Sequence, residues 1–332
     1  MRIPYETMQR EFLRVLAKHG ITGERAALCA RMFADASRDG VPTHGLNRFP
    51  RFIKAIERGA VDPAAQAEAV ERLGMLERWD GHRGPGNLNA HACMQRAIEL
   101  ARAHTIGVVA LRNTNHWMRP GNYGLMAAAA GCIGILWTNT MPNMPPWGGR
   151  DARIGNNPVV FAIPHGDTPM LLDAAMSMFS YGKLESYARQ GRQLPVDGGF
   201  NRDQQLTRDP REVLETHQCL PIGYWKGSGL SLALDLVAAA LSGGNTARQV
   251  GESGVETGLS QVFVAIDVAG MPDGEAFAHR VADTLADLQT STPVEPGCPP
   301  RYPGQNMMRV RMDSLRSGIP VEDSVWEEVL RL

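Results

Sequence analysis

The 332-residue sequence has no excess of charge of either sign: 34 Lys and Arg stand against 35 Asp and Glu, a formal net charge of −1. A chain so balanced offers no basic surface for a nucleic-acid backbone. None of its five cysteines (Cys29, Cys93, Cys132, Cys219 and Cys298) forms a Cys-x-x-Cys pair, and the odd number argues against a disulfide framework. Three of the five fall in segments that read as helix or strand interiors, as expected in a reduced compartment. The first residues, MRIPYETMQREF, carry charge where a secretory leader needs an apolar run. The longest apolar stretch, Leu230 to Leu241, contains Asp235 and is too short to span a bilayer. The expectation is a cytoplasmic protein with neither nucleic acid nor membrane as partner. No HExxH motif or cysteine cluster points to zinc, and no metal is expected. The dinucleotide fingerprint GxGxxG is missing as well: Gly81, Gly84 and Gly86 have the wrong spacing and no strand before them.

What the sequence does contain is an ordinary globular composition, 43% hydrophobic and 21% charged. Its length suffices for about two domains. The first 60 residues read as helices. Thr22 stands at a helix start, and Cys29, Met32, Phe33 and Ala36 recur at helical spacing as one buried stripe. Pro50 suits the first turn of a following helix, with Phe52, Ile53 and Ile56 on its apolar face. Residues 60–71, AVDPAAQAEAVE, read as a linker. From residue 72 helical and strand-like patterns alternate. A helical pattern ends at His104, and continuous apolar runs at 106–111, 132–137, 158–164, 170–175 and 261–267 predict a sheet buried on both faces. Leu230 to Leu241 is apolar all round and is expected inside. Phe277, Val281, Leu285 and Leu288 form a further helical stripe. The class is α/β.

Three polar clusters interrupt this pattern. In VPTHGLNRFPRF, residues 41–52, His44 and Arg48 are four apart and share a face if the turn is helical. Imidazole exchanges a proton near neutrality, and guanidinium grips a carboxylate at two points. A reductase of 2-keto acids needs that pair. A solvated inter-helix turn explains the same residues, and both readings stay open at this point. NTNHWMRPGNYG, residues 113–124, follows a strand, where α/β sites gather; His116 and Arg119 are its candidates for acid/base and anion contact, against a plain turn. GYWKGSG, residues 223–229, enters a helix and offers free N–H groups, glycines and the Lys226 charge to a phosphate, with Trp225 available to stack on a ring. A glycine-rich cap is the alternative. Asp173, after the apolar MLL of a strand, suits ribose hydroxyls or a strand-end turn.

THGLNRFPRFIKAIERG, ALRNTNHWMRPGNYG, WTNTMPNMPPWGGRDARIGNNP, DAAMSMFSYGKLE, GRQLPVDGGF and GYWKGSGLSLALD occur in this order along the chain. With them the sequence, from Tyr5 to Trp326, resembles the malate/L-lactate dehydrogenase family that lacks a Rossmann fold. The resemblance implies a non-Rossmann mixed-sheet dinucleotide-binding core with a helical N-terminal region, and a homodimer. It also implies nicotinamide-dependent reduction of a small 2-keto acid, closest to the members acting on sugar-derived acids. Oxidation of another 2-hydroxy acid such as malate, lactate or ureidoglycolate is the alternative, and a catalytically inactive binding protein is the rival from another class. By the resemblance His44 is the proton donor, with Thr43 beside it where a hydroxyl residue is usual. Arg48 contacts the substrate carboxylate, and His116 is a second acid/base candidate. Asn139, Thr140, Thr168, Asp173, Ala175, Trp225, Lys226, Gly304, Gln305 and Asn306 match cofactor-contacting segments. NADH is the expected cofactor, with NADPH left open by Ala175 and by the absence of an acidic residue after Pro303–Gly304. The implied division is residues 1–71, packed with 300–332, against a cofactor-binding core of 72–299.

Overall fold

The computed structural model describes all residues, 1–332. A short strand β1 (Arg2–Ile3) leads into helices α1 (Tyr5–Lys18) and α2 (Gly23–Arg38), a 3-10 turn at Pro42–His44 and α3 (Phe49–Glu57). Then follow β2 (Glu68–Leu73), β3 (Leu76–Asp80), α4 (Gly86–His104), β4 (Ile106–Thr114), α5 (Gly121–Ala129), β5 (Cys132–Thr138), β6 (Val159–Ile163) and β7 (Met170–Ala174). The remainder is α6 (Tyr181–Arg189), β8 (Gly199–Phe200), β9 (Leu206–Thr207), α7 (Pro210–Thr216), α8 (Trp225–Ser242), α9 (Ala247–Glu252), β10 (Leu259–Asp267), α10 (Gly274–Gln289), α11 (Met307–Ser317), β11 (Ile319–Pro320) and α12 (Asp323–Arg331).

Seven strands form the main sheet in the order β2-β3-β4-β10-β5-β6-β7. Only β3 and β4 run parallel; every other pair is antiparallel. This mixed sheet is not the parallel, doubly wound arrangement of a Rossmann fold, which accounts for the missing glycine fingerprint. On one face α4 and α5 bury Met94, Ala97, Tyr123 and Ala127 against Val109, Leu136, Val160 and Phe263. On the other, Ala238 of α8 packs on Ala110 and Val262. A second core joins the N-terminal helices to α12, with Phe12, Phe33, Phe49 and Phe52 meeting Trp326 and Val329. The rings of Phe12 and Phe49 lie 4.2 Å apart between centroids. Each such buried ring contributes about 1.5–3 kcal/mol of transfer free energy.

Four expectations change. The stretch 60–71 is not all linker: Glu68–Leu73 is an edge strand with every residue exposed. Its charged residues give no apolar alternation to read, and they guard the open edge of the sheet. The Leu230–Leu241 segment is not fully inside, because Leu230, Leu232, Leu236 and Val237 are exposed on the outer face of α8. The stripe of α10 is likewise unburied; no residue of that helix is fully covered. Thr22 occupies the cap position of α2, but its side chain makes no capping bond.

Candidate active site

The helical region and the sheet enclose a cavity of about 1160 Å³. That is roomier than the roughly 300–1,000 Å³ that suits one drug-sized ligand. His44, Arg48 and His116 all line it.

Local sequence explains how His44 and Arg48 arrive there. The 3-10 turn carries Thr43 and His44, and Gly45 then passes against α2. A side chain at Gly45 would meet Ser37 Oγ at 2.2 Å and the Phe33 carbonyl oxygen at 2.7 Å, so only glycine permits the approach. Ser37 Oγ accepts the Leu46 N–H at 2.8 Å and locks the turn. Arg48 then stands at the head of α3, with Pro50 in the first turn.

His116 comes from the other body. It follows β4 and the buried Asn115, whose Nδ2 donates to the carbonyls of Arg83 (2.7 Å) and Gly84 (3.0 Å). Met118, at φ +63°, turns its N–H onto His116 Nδ1 at 3.0 Å. A backbone conformation that side-chain-bearing residues seldom adopt is held here to fix one imidazole. Because Nδ1 accepts, the neutral His116 ring carries its proton on Nε2. The rings of His44 and His116 stack with centroids 5.8 Å apart and planes 17° apart. His44 Nδ1 lies 3.3 Å from Thr43 Oγ1.

No carboxylate partners either ring. Burial, then the charges of Arg48 and Arg119, push His44 down to about 3. Burial and the charge of Arg48 likewise hold His116 well below its ordinary value. Burial also lowers Arg48 from its usual range, with the charge of Glu256 opposing that shift. Both histidines are therefore neutral at pH 7.

The cofactor-segment residues divide. Thr140, Asp173, Ala175, Gly304 and Asn306 line the cavity. Asp173 Oδ2 accepts the Gly121 N–H at 2.9 Å, and burial raises its carboxyl above the ordinary range. The turn that carries Gly304 packs against β7, where the Leu171 N–H donates to the Pro303 carbonyl at 2.9 Å. Five others do not reach the cavity wall. Asn139 is wholly buried and spends its amide on structure: Nδ2 donates to Asp235 (2.9 Å) and to the Asn245 carbonyl (2.7 Å), while Oδ1 accepts from Ser260 N–H (2.8 Å). Thr168 Oγ1 pairs with the Tyr302 hydroxyl at 3.2 Å. Gln305 lies between two lining residues without lining the cavity itself. Trp225 and Lys226 open α8 on the surface, Trp225 being 64% exposed. Gly227 makes no room for a ligand either: a side chain there would strike the Ile222 carbonyl oxygen at 2.2 Å.

The cavity also contains Asp39 and Glu256, which no motif announced, and Arg119, which the sequence marked as an anion-contact candidate. Asp39 receives Arg119 Nη1 at 2.7 Å, Arg311 Nη2 at 2.7 Å and Arg38 Nε at 2.8 Å. Burial pushes the Asp39 carboxyl up, but the bonds from Arg311 and Arg38 and the charge of Arg119 prevail and hold it well below the carboxylate range. Arg119 Nε and Asn143 Oδ1, both on lining residues, are buried without a protein partner. Glu256 lies 3.3 Å from Arg48 Nη2. Asp39 and Glu256 sit in short polar turns that look like any solvated connection, so only the fold brings them to the site. No group of three metal-ligating side chains is close enough to hold an ion.

The family profile described as malate/L-lactate dehydrogenase matches residues 3–330. A 2,3-diketo-L-gulonate reductase of Citrobacter koseri is 45% identical over 333 residues, covering all of both chains. One from an Escherichia coli strain is 46% identical over 337 residues, again over both full lengths. Among solved structures, malate dehydrogenase from Entamoeba histolytica superposes with a TM-score of 0.94 at 26% identity, covering 100% of this chain and 96% of that one. Dehydrogenases of this kind depend on a nicotinamide dinucleotide. A cavity that brings His44, His116 and Arg48 together beside a mixed sheet and a full-length match lead to one statement: the chain is an oxidoreductase that belongs to the malate/L-lactate dehydrogenase family.

Proposed function

We propose that the chain is an NADH-dependent reductase of 2,3-diketo-L-gulonate or a close sugar-derived 2-keto acid. The observation that carries this reading is 45% identity along the whole length of curated 2,3-diketo-L-gulonate reductases, against 26% to the Entamoeba malate dehydrogenase. The cavity's volume and the unpartnered Arg119 Nε and Asn143 Oδ1 on its wall fit a large polar ligand such as a dinucleotide. Thr140, Asp173, Ala175, Gly304 and Asn306 would hold it. When bound, the cofactor supplies the hydride.

The chain's own residues do the rest. Arg48 grips the substrate carboxylate and so fixes which carbonyl is presented. His44 delivers a proton to the carbonyl oxygen as it becomes an alkoxide. That requires a protonated ring, whereas burial and the charges of Arg48 and Arg119 keep it neutral. A carboxylate arriving on Arg48 offsets that guanidinium's charge, the second cause of the depression after burial, and so favours the imidazolium when substrate is in place. His116, with Nδ1 occupied by Met118 N–H, offers Nε2–H as a fixed hydrogen-bond donor to the same oxygen. This divides the labour between the two histidines.

The two cores support a division into 1–71 with 300–332 and a cofactor-binding body of 72–299, the cavity lying at their seam. A homodimer is part of the proposal. The exposed Leu230, Leu232, Leu236 and Val237 of α8 adjoin Trp225, with Tyr224 against Trp147 at 5.2 Å, an apolar surface a second copy would cover. No helix is long and apolar enough to cross a membrane; a cytoplasmic site of action is part of the proposal. The test is NADH oxidation by purified protein with a panel of keto acids, repeated with NADPH. The expected result is a higher kcat/KM for 2,3-diketo-L-gulonate than for pyruvate, oxaloacetate or 2-oxoglutarate, and higher with NADH. A simple keto acid as the better substrate would refute the sugar-acid assignment.

A further inference from the structure

The charged groups lining the cavity balance: Arg48, Arg51, Arg119 and Lys183 against Asp39, Asp173, Glu185 and Glu256. Three of the four cations already have a resident anion. Arg119 is held by Asp39 at 2.7 Å, Arg51 by Glu185 at 2.7 Å and Arg48 by Glu256 at 3.3 Å. The last pair differs from the others. Glu256 reaches Arg48 through one Nη only, and the other donors of the guanidinium fork have no partner in the protein. Both side chains are about a quarter exposed, and what they face is the cavity. Glu256 sits in the turn between α9 and β10, tied to the helical region by Arg48 and by a 3.3 Å bond from Thr257 Oγ1 to the Ala60 carbonyl.

We propose that Glu256 sets the charge class of the substrate: it leaves one edge of Arg48 open to a single carboxylate and repels a second. The inference rests on Arg48 as the carboxylate clamp. A mono-anionic keto acid completes the fork of Arg48, while its hydroxyl groups can donate to the Glu256 carboxylate. A keto diacid brings a second negative charge next to Glu256 and has no hydroxyl to offer it. In a cavity screened less than bulk water that repulsion is large enough to decide between substrates. The site thereby selects polyhydroxy mono-acids over diacids of the oxaloacetate type.

The experiment compares kcat/KM for oxaloacetate with that for pyruvate in the unmutated protein, in Glu256→Gln and in Glu256→Asp. A general change in Arg48 cancels in the ratio. Glu256→Gln is expected to raise the oxaloacetate-to-pyruvate ratio on the order of tenfold, the scale of one close charge pair, and Glu256→Asp to leave it near its original value. An unchanged ratio in Glu256→Gln, or an equal rise in Glu256→Asp, would overturn the proposal. Thermal unfolding with malonate and with glycolate gives a readout independent of turnover. On going from the unmutated protein to Glu256→Gln the malonate shift should grow more than the glycolate shift, so that a general change in Arg48 cancels; equal changes for the two ligands would overturn the proposal. Should no keto acid be reduced at all, the functional reading fails while the malonate result still decides the role of Glu256.

Discussion

Two glycine-bordered motifs, THGLNR at 43–48 and GYWKG at 223–227, end in opposite surroundings. The first is pressed into the molecule: Gly45 lets the turn close on Ser37, and His44 and Arg48 emerge inside the cavity. The second lies outside, with Tyr224 and Trp225 more than half exposed at the head of a helix whose outer face is leucine and valine. In both, glycine serves close backbone packing rather than ligand approach; Gly227 is crowded by Ile222 as Gly45 is by Ser37. The lesson is that a motif's chemistry is written in its side chains, but its address is written in what the rest of the chain packs against it. The cavity motif is enclosed by the chain's own elements, whereas the surface motif lies on its exterior.

That comparison can be broken or sharpened by substitution. At the cavity, Arg48→Lys should lower kcat/KM for the keto acid by about 10–100-fold, because an ammonium lacks the planar two-point grip. The loss should shrink for an ester or amide of the same acid, and equal losses would remove Arg48 from the carboxylate. At the surface, Leu236→Glu places a charge on the exposed face of α8 and should convert a dimer to monomers in analytical ultracentrifugation. A dimer that survives would put the interface elsewhere. Lys226→Ala should leave the Kd for NADH within about twofold, read by quenching of tryptophan fluorescence, because Lys226 lies outside the cavity. A several-fold rise in Kd would return GYWKG to the cofactor site.

The smallest effect concerns acid stability. His44 titrates in the folded chain at about 3 rather than 6.5, so between those values the unfolded chain binds the extra proton. Stability from keeping this ring neutral is whole above pH 6.5 and is lost as pH falls toward 3. Urea melts of the ligand-free protein should show this decline, and His44→Gln should flatten it. A decline of the same slope in the variant would assign it to other groups.

Much of this was legible in the sequence, for identifiable reasons. The strands β4, β5, β6, β7 and β10 announced themselves because helices packed on the sheet leave long apolar runs in it. The edge strand β2 did not, since its exposed residues include Glu and Arg where a core strand carries Val, nor did β3 beside it, which carries the ion-paired Glu77 and Arg78. His44, Arg48 and His116 stood out as polar groups in otherwise apolar or glycine-rich company. Asp39 acts through partners 80 and 272 residues away and Glu256 through one 208 residues away, distances no local pattern reports, whereas Arg119 was already a candidate in its motif. The environment of α8 was misjudged because an all-apolar helix reads the same whether its second face is covered by its own chain or left exposed.

The division of labour between the stacked histidines is the centre of the account, and NADH oxidation by His44→Gln and His116→Gln in one assay tests it most directly. The glutamine amide can place an N–H near the position of the imidazole Nε2–H but cannot carry a transferable proton. His116→Gln should therefore keep kcat within about tenfold of the unmutated protein, while His44→Gln should lose about 10²–10⁴-fold, the range for removing a general acid. A collapse in His116→Gln with near-normal turnover in His44→Gln would contradict the assignment and make His116 the proton donor.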